Sequence, residues 1–336
     1  MQPVSSQMGA LLLEREGSPL KSVRLPAPVP GEEQVLVRVF ASGVNPLDLK
    51  IARGAAPHAR HPLPAVLGID FAGEVVALGD KVRGFRVGDE VFGIAGGVGG
   101  HQGSLAEYVA ADARLLAHKP GSLSMRQAAA LPLAFITAWE GLVDRAHIAA
   151  GQKVLVHGGA GGVGHVAIQL ARSLGATVFA TGRAAHLDYI ASLGATPVDH
   201  EACTVEDYVA EHTGGAGFDV VYDTVGGPVL DASFKAIRHF GHVVSALGWG
   251  THSLAPLSFR GGTYSGVFTL MPLLDGFGRE RHGEILRRAR DLADRGLLVP
   301  RIDAHQFDFG SANEAHLLVA AGRNEGKVVI DMNIRK

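Results

Sequence analysis

The segment "VLVHGGAGGVGHVAIQLA", residues 154–171, places a glycine-rich loop between two apolar runs. The residues that lead into the loop, 153–157, are almost continuously apolar, which is typical of a buried strand in a parallel sheet. Beyond the loop, apolar residues recur from Val163 to Leu174 at the spacing of one helical face, and Gly175 marks the end of that helix. The sequence therefore predicts a strand, a tight loop and a helix in direct succession.

Three glycines of this loop, Gly159, Gly161 and Gly164, have the G-x-G-x-x-G spacing of dinucleotide-binding sites. In such a site the first glycine permits the turn, the second lets the backbone approach a pyrophosphate, and the third lets helix and strand pack closely. The N–H groups at the start of the helix then meet the anion. A glycine-rich loop can also be only a turn, but the order of strand, loop and helix favours dinucleotide binding.

The type of dinucleotide is indicated by the end of the next predicted strand, 177–180. A site for NAD carries an acidic residue there, about 20 residues after the glycines, for the ribose hydroxyls. No acid occurs between His165 and Leu187, and Arg183 stands in its place. A guanidinium suits a 2′-phosphate, so we expect NADPH rather than NADH. The alternative is a solvated arginine in a turn.

Composition limits the class of protein. A chain of 336 residues favours two domains over one. Its 31 basic and 33 acidic residues give a net charge of −2, which offers no footprint for nucleic acid and no basic patch for a membrane. No apolar run approaches the roughly 18 residues of a membrane span, and the N-terminus lacks a signal pattern. With Cys203 as its single cysteine, we expect a cytoplasmic protein.

The pattern along the chain changes near residue 130. Residues 1 to about 128 read mostly as strands and turns, and "EQVLVRVFASGV" (33–44) predicts a half-buried strand. From about 130 to 270, strands alternate with helices, which implies a parallel sheet. The tail predicts a helix around Glu284–Ala293 and a last strand, "KVVIDM" (327–332). The predicted fold class is α/β, a β-rich domain with a doubly wound parallel-sheet domain. The predicted strands of that second domain are 153–157, 177–180, 219–222 and 242–246.

Seven motifs follow one another along nearly the whole chain: "ASGVNPLDLKIARG" (41–54), "PAVLGIDFAGEVVALGDKVRGFRVGDEVFG" (64–93), "GSLAEYV" (103–109), "LPLAFITAWEGL" (131–142), "HGGAGGVGHVAIQLA" (157–171), "FDVVYDTVGG" (218–227) and "GKVVI" (326–330). In this order they resemble the motifs of the medium-chain dehydrogenase/reductase superfamily, in its zinc-free, zeta-crystallin-like quinone oxidoreductase branch. The resemblance implies a GroES-like catalytic domain formed by residues 1–129 and 271–336, with a Rossmann NADP-binding domain, 130–270, between them. It also implies homodimers or homotetramers, often joined through the last Rossmann strand, here near "TYSGVFTL" (263–270).

Zinc-dependent relatives hold their catalytic zinc with a Cys in the segment that matches 41–48 and a His in the segment that matches 68–73. Asn45 and Ile69 stand at these positions here, and no cysteine-rich lobe is present. His58 and His61 have a ligand-like spacing but no third donor nearby. We therefore expect no metal. Without a Lewis acid, hydride transfer to an electron-poor acceptor, a quinone or an α,β-unsaturated carbonyl, is easier than oxidation of an alcohol.

The resemblance also suggests which residues act. It puts Asn45 near the nicotinamide, where its amide would donate to a carbonyl; the alternative is a turn residue before Pro46. Lys50 stands where many relatives carry a tyrosine, and it is a candidate proton donor, a contact for cofactor phosphate, or a solvated lysine. Asp48 and Asp70 match positions that look structural.

The cofactor contacts implied by the resemblance follow the Rossmann strands. Thr137 would lie beside the nicotinamide ribose, with a helix-interior threonine as the alternative. His200 would pack near the adenosine phosphate unless it is structural. The remaining implied contacts are Gly161, Gly162 and Val163 for the pyrophosphate, Gly182 and Arg183 for the adenosine ribose, Val225, and Ala246, Leu247, Gly248, Val267 and Phe268 for the nicotinamide carboxamide.

Three functions remain open at this point. The first is an NADPH-dependent reductase of quinones or enones, whose partner is a small-molecule electron acceptor. The second is an enoyl-thioester reductase, and the third is a non-catalytic NADPH-binding protein. The balanced charge argues against a nucleic-acid partner for the third.

Overall fold

The computed structural model describes residues 5–332, and the chain divides into two compact units. The first unit runs up to Leu133 and resumes at Leu270; the second is Ala134–Thr269. The sequence placed the corresponding boundaries at 129/130 and 270/271. None of the helices in the described part of the chain is both long and apolar enough to cross a bilayer.

The described strands of the first unit are β1 Gln7–Leu13, β2 Lys21–Pro26, β3 Gln34–Gly43, β4 Ala65–Val66, β5 Asp70–Leu78, β6 Glu90–Ile94, β7 Tyr108–Asp112, β8 Leu116–His118, β15 Phe307–Asp308 and β16 Val329–Asp331. They form a three-stranded sheet, in the order β2-β1-β4, and a seven-stranded sheet. The larger sheet has the order β15-β16-β3-β5-β6-β8, and β7 pairs with the first half of β3.

The helices of this unit are short except for one. Helix α10 was predicted as Glu284–Ala293 but begins five residues earlier, at Arg279. Its apolar residues Ile285, Leu286 and Ala289 are buried, which is the pattern of a helix with one face on a core. The helices are α1 Pro46–Ala52, α2 Met125–Ala129, α9 Met271–Asp275, α10 Arg279–Asp294 and α11 Ala312–Ala320.

The predicted half-buried strand at 33–44 is observed as β3, and its alternation is confirmed over most of its length. Val35, Val37 and Val39 are buried, whereas Arg38 and Phe40 between and beside them are only partly buried. Leu36 departs from the alternation, because it is buried as well. Strand β3 lies at the centre of the large sheet, with β5 along one edge and with β7 and β16 sharing the other.

The second unit is the doubly wound α/β domain that the sequence predicts. Its elements are α3 Pro132–Trp139, β9 Lys153–His157, α4 Gly164–Ser173, β10 Thr177–Gly182, α5 Leu187–Ser192, β11 Thr196–Asp199, α6 Val205–Thr213, β12 Phe218–Asp223, α7 Pro228–Ala236, β13 Ile237–Ser245, α8 Ala255–Ser258 and β14 Thr263–Gly266. All six strands of its described sheet are parallel, in the order β11-β10-β9-β12-β13-β14. Helix α3 continues into a π-helical turn at Glu140–Arg145.

Strand β13 begins at Ile237, five residues before the predicted 242. Its first half is irregular, because the register against β12 shifts after Phe218 and Phe240 adopts a left-handed φ of 58°. This irregular half carries Arg238, His239 and an exposed Phe240, so it lacks the apolar pattern of a buried strand. Only its regular half was visible in the sequence.

Candidate active site

The predicted cofactor residues of the second unit gather at one edge of its sheet. The strands of a parallel sheet all end on the same side, where ligands of doubly wound folds bind. The six described strands end at His157, Gly182, Asp199, Asp223, Ser245 and Gly266. The predicted residues lie at these ends: 159–164 after β9, Gly182 and Arg183 at β10, His200 after β11, Val225 after β12, 246–248 after β13, and Val267 with Phe268 after β14.

The glycine loop between β9 and α4 is held by hydrogen bonds to the neighbouring strand, β10. Gly159 N donates to Thr181 O at 2.8 Å, and Thr181 Oγ1 accepts a hydrogen bond from Gly158 N at 3.2 Å. Within the loop, Gly161 N donates to Gly158 O at 2.9 Å. These bonds hold the loop against the end of β10 through the main chain and the Thr181 hydroxyl.

Two glycines of the loop differ in their surroundings. A Cβ built on Gly164 would lie 2.0 Å from Gly158 O, so this glycine is required for α4 to pack against the loop. A Cβ on Gly161 would meet only Gly158 O, at 3.1 Å. The protein therefore leaves space beside Gly161, where a dinucleotide site brings backbone and pyrophosphate together. The loop fits such a group.

Asp223, at the end of β12, organises the next two loops, and the sequence did not single it out. Its Oδ1 accepts from Val225 N and Gly226 N, each at 2.9 Å, and its Oδ2 accepts from Ser245 Oγ at 2.7 Å. Ser245 Oγ in turn accepts from Leu247 N at 3.0 Å. The signal was an acid at the end of a buried strand, "DVVYD", but only the pairing of β12 with β13 brings Ser245 to it.

Arg183 and His200 lie on neighbouring strand ends. The Arg183 side chain is 70% exposed, and its Nε lies 3.5 Å from Glu201 Oε1. His200 Nδ1 contacts Gly182 O at 2.7 Å, which ties the loop after β11 to the end of β10. The predicted pair of Gly182 and Arg183 therefore has a carboxylate neighbour that the sequence analysis did not consider.

Thr137 and Phe268 are also anchored within the second unit. Thr137 is buried in α3, and its carbonyl accepts a hydrogen bond from the Tyr222 hydroxyl at 2.7 Å. Phe268 N donates to Glu140 Oε1 at 3.3 Å, and the ring of Trp249 approaches Phe268 edge-on with centroids 6.5 Å apart. Their predicted roles toward a cofactor remain predictions.

In the first unit, Asn45 belongs to a buried polar cluster that we define as Asn45, Asp48, Asp70 and Lys327. Asn45 precedes helix α1, and its backbone N donates to Asp48 Oδ2 at 2.8 Å. Its side-chain Nδ2 donates to Asp70 Oδ2 at 2.9 Å, and its Oδ1 accepts from Lys327 Nζ. All four residues are at most 5% exposed. Asn45 is thus more than a turn residue before Pro46.

Lys327 is the member of this cluster that the sequence analysis missed. Its Nζ lies 3.5 Å from Asp70 Oδ2 and donates to Val44 O at 3.3 Å as well as to Asn45. The available signal was a lysine directly before a buried apolar strand, in "GKVVI". Such a lysine is expected at the surface unless a carboxylate pairs with it, and its carboxylate lies 257 positions away in the chain.

Lys50 does not join the cluster. It lies in the last turn of α1 and is exposed, whereas Asp48 of the same helix is buried. Of the three alternatives given for Lys50, the solvated surface lysine agrees with its exposure in the first unit. Asp48 and Asp70, which were expected to be structural, are the buried acids of this site.

Burial governs the ionisation of both acids. It raises the pKa of Asp48 from 3.8 to about 7, because the buried carboxylate is desolvated; the Asn45 backbone N–H acts in the opposite direction, and the nearby Asp70 carboxyl adds to the rise. Burial also raises the pKa of Asp70, although the Lys327 ammonium and the Asn45 amide act in the opposite direction.

The variant Asp48→Asn is expected to change the pH dependence of stability. A folded-state pKa above the unfolded value means that the native wild type retains a proton that the unfolded chain has lost, so this group lowers stability as pH rises from 3.8 to about 7. As pH rises from about 4 to about 7, the free energy of unfolding of the variant should increase relative to wild type by about 1.4 kcal/mol per pH unit, and it should not increase further above pH 7. Urea unfolding of both proteins across this range measures the difference.

The matched control is Asp80→Asn, at an exposed aspartate of the same unit. A pH dependence that is specific to Asp48 should appear in Asp48→Asn and not in this variant. If the curves of Asp48→Asn and wild type run parallel, Asp48 titrates as an ordinary carboxyl and the assignment is wrong.

Among residues 5–332, no three His, Cys, Asp or Glu side chains lie together in a way that could hold a metal ion. Ile69, at the second ligand position of zinc-dependent relatives, is fully buried and offers no donor atom. The Asn45 amide is engaged on both sides by Asp70 and Lys327. This donor set does not fit zinc.

Two family models match the chain. The alcohol dehydrogenase GroES-like domain matches residues 31–121, and the zinc-binding dehydrogenase domain matches residues 193–330. The first lies in the first unit, and the second begins inside the second unit and continues into the tail.

Among curated proteins, the chain is 38% identical to 2-methylene-furan-3-one reductase of Solanum lycopersicum and 36% identical to the chloroplastic NADPH-dependent alkenal/one oxidoreductase of Arabidopsis thaliana. In both cases the match covers 89% of this chain and 72% of the relative. The chain is also 38% identical to the spectinabilin polyketide synthase system protein NorB of Streptomyces orinoci, of which it spans 13%, over 90% of its own length.

Among solved structures, an alcohol dehydrogenase superfamily protein from Novosphingobium aromaticivorans is 57% identical, with a TM-score of 0.96 over 97% of this chain and 100% of that one. The quinone oxidoreductase from Coxiella burnetii is 32% identical, with a TM-score of 0.82 over the same shares of the two chains.

Proposed function

The chain belongs to the medium-chain dehydrogenase/reductase superfamily, in its quinone oxidoreductase branch, and we propose that it transfers a hydride from NADPH to a quinone or an α,β-unsaturated carbonyl compound. Two relatives whose length it largely spans are named as a furanone reductase and an alkenal/one oxidoreductase. A third, of known structure, is named as a quinone oxidoreductase. These names support an acceptor with a conjugated carbonyl group.

The observation that carries the proposal is the orientation of the Asn45 amide. Its Oδ1 faces the Lys327 ammonium, and its Nδ2 donates one hydrogen to Asp70. We assign the second Nδ2 hydrogen to the acceptor oxygen, on which negative charge develops as the hydride arrives. A donor that is already oriented stabilises that charge without reorganising during the reaction.

NADPH, when bound, supplies the hydride. The residues that would hold it are the glycine loop, Arg183 and the loops that Asp223 organises. The start of α4 offers N–H groups that have no carbonyl partner within the helix, and these suit the pyrophosphate. The chain's own contribution is thus to orient the two reactants and to stabilise the charge on the acceptor.

We propose that this chemistry requires no zinc, although one matching family is described as zinc-binding. The support is the donor set: an amide that is already engaged and an isoleucine at the two ligand positions. Metal analysis of the purified protein tests this. One zinc per chain that is lost together with activity on chelation would overturn it.

Replacement of Arg183 by alanine is expected to weaken NADPH binding by about 10- to 100-fold and to leave the affinity for NADH nearly unchanged. A guanidinium paired with the 2′-phosphate gives charge-assisted hydrogen bonds of roughly 1.5–3 kcal/mol, and about 1.4 kcal/mol corresponds to a factor of ten. NADH has no phosphate at this point. The measurement is the dissociation constant of both cofactors, for both proteins, at one salt concentration.

Glu201→Gln is the matched variant for this test. Its carboxylate lies 3.5 Å from the guanidinium and would repel a phosphate bound there, so its removal should tighten NADPH binding slightly. If Glu201→Gln instead weakens NADH, this residue binds ribose hydroxyls and the protein prefers NADH. If Arg183→Ala loses affinity equally for both cofactors, Arg183 supports the fold and does not bind the 2′-phosphate.

The function itself is tested by cofactor oxidation with a panel of acceptors. We expect turnover with quinones and with small enones, and NADPH should support it better than NADH. Binding of NADPH without turnover of any acceptor would favour the third candidate, a non-catalytic NADPH-binding protein.

The similarity to a polyketide synthase system protein favours one further candidate, reduction of an enoyl thioester. A crotonyl thioester of a pantetheine analogue, included in the panel, separates the two readings. A kcat/KM for the thioester well above that for the free enones would reassign the substrate class.

We also propose that the protein acts in the cytoplasm, as a homodimer or homotetramer with no nucleic-acid or membrane partner. The last strand of the second unit's sheet, β14, supports the oligomer because it has a neighbour on one side only among the described strands and because Tyr264 is partly exposed on it. Light scattering is expected to give two or four times the 35.1 kDa of one chain. A mass of one chain would contradict the proposal.

A further inference from the structure

Lys327 lies opposite Asn45 because of the register between the last strand and β3. These strands are antiparallel, with Val329 opposite Gly43 and Asp331 opposite Ala41. Two residues further along, the same register sets Lys327 opposite Asn45, and Val44 N donates to Val328 O at 2.9 Å just beyond the last strand pair. The lysine is therefore presented to the amide by the backbone of the sheet.

The Lys327 backbone is held on its other side too. Its N donates to Arg301 O at 2.8 Å, and its O accepts from Asp303 N at 3.0 Å. With its main chain fixed on two sides and its side chain 6% exposed, the ammonium has little freedom to leave the cluster. It meets Val44 O, Asn45 Oδ1 and the Asp70 carboxylate.

We infer that Lys327 is a positioning residue for the proposed reaction, which together with Asp70 holds the Asn45 amide in its donating orientation. An asparagine amide can turn over, which exchanges its oxygen and its NH₂ group. An ammonium has only hydrogens to donate and an ionised carboxylate only accepts. In the observed orientation both contacts are favourable. After a turn, the ammonium would face NH₂ and the carboxylate would face the amide oxygen.

The consequence is that the charge pair selects one of two orientations of the donor. Without the ammonium, the Asn45 amide loses the partner of its oxygen and is free to present oxygen toward the acceptor. The inference rests on the proposed function of Asn45, but it makes a claim about the amide that does not depend on turnover.

The first experiment compares Lys327→Met with Lys327→Gln. Methionine fills similar space without a donor, whereas glutamine keeps an N–H donor but loses the charge. We expect kcat with a quinone to fall about 10- to 100-fold in Lys327→Met and less in Lys327→Gln, with the NADPH dissociation constant changed less than about twofold in either. Equal losses in the two variants would indicate that the lysine only balances charge.

The second comparison is a double-mutant cycle with Asn45→Ala. If Lys327 acts through Asn45, the double variant Asn45→Ala/Lys327→Met should be about as impaired as Asn45→Ala alone. If the fold-loss in kcat of the double variant equals the product of the losses of the two single variants, Lys327 does not act through Asn45 and the inference is overturned.

The third readout needs no activity. The side-chain Nδ2 resonance of Asn45 is identified in ¹⁵N spectra by its absence in Asn45→Ala, and its hydrogen exchange is compared in wild type and in Lys327→Met. We expect exchange at least about 10-fold faster in the variant, because the amide is no longer held. Unchanged exchange would overturn the inference even if the protein reduces quinones. Faster exchange in a protein that reduces no acceptor would instead mean that the proposed function is wrong and that the positioning is real.

Discussion

Asp70→Ala is expected to lower the free energy of unfolding by about 3–5 kcal/mol, the usual cost of leaving one partner of a buried ion pair alone. The Asp70 side chain is completely buried and accepts from Asn45 Nδ2 at 2.9 Å and from Leu133 N at 2.8 Å. It also lies 3.5 Å from the Lys327 ammonium. Alanine removes these contacts and leaves a buried cation without its carboxylate. Urea or guanidinium unfolding measures the loss.

Two variants bracket this result. Asp70→Asn keeps the shape and one acceptor oxygen and should lose less stability than Asp70→Ala. Asp80→Ala, at an exposed position, should stay within about 0.5 kcal/mol of wild type. If Asp70→Ala costs less than about 1 kcal/mol, the cluster does not support the fold in the way described.

Gly164→Ala is expected to disrupt the glycine loop even in the absence of any cofactor. The added Cβ would lie 2.0 Å from Gly158 O and 3.0 Å from the Cα of Gly159, both backbone atoms, which cannot move away as a flexible side chain would. The start of α4 would have to shift, so we expect a loss of stability of at least about 1–3 kcal/mol and a loss of NADPH binding of 100-fold or more. Unfolding curves without ligand and cofactor titration measure the two effects.

Gly161→Ala is the matched variant, since its Cβ would meet only Gly158 O at 3.1 Å. It should fold with nearly wild-type stability but bind NADPH poorly, because the methyl group occupies the approach of the pyrophosphate. The pair therefore separates the packing role of one glycine from the binding role of the other. Normal NADPH binding by Gly161→Ala would mean that the pyrophosphate does not lie at this loop.

The parts of the structure that the sequence predicted well are local ones. Strand β9 has the predicted bounds, 153–157, and helix α4 begins at Gly164 and ends at Ser173, before Gly175. Each of these elements carries its own signal, an apolar run or a helical period closed by glycine. The glycine loop follows directly after the first of these elements, and Arg183 follows shortly after the strand predicted at 177–180, so both positions could be read from neighbouring residues.

The part of a strand that the sequence did not predict depends on its neighbour. The first half of β13 was missed because its register shift is a property of its pairing with β12. Lys50, a candidate because many relatives carry a tyrosine at its position, is exposed on α1, and its catalytic role remains a prediction.

By itself, the sequence determined the α/β class, the glycine loop and the residues that follow each parallel strand. These features depend on consecutive residues, because a strand, a turn and a helix each have a local sequence pattern. Only the tertiary structure decided which polar side chains form the site. Lys327 reaches Asn45 through the register of two antiparallel strands, and Asp223 meets Ser245 through two parallel ones. Burial then decides their chemistry. It raises the pKa of Asp48 to about 7, and it places the Lys327 ammonium and the Asp70 carboxylate together away from solvent. Such pairings join residues far apart in the chain, and no local pattern encodes them.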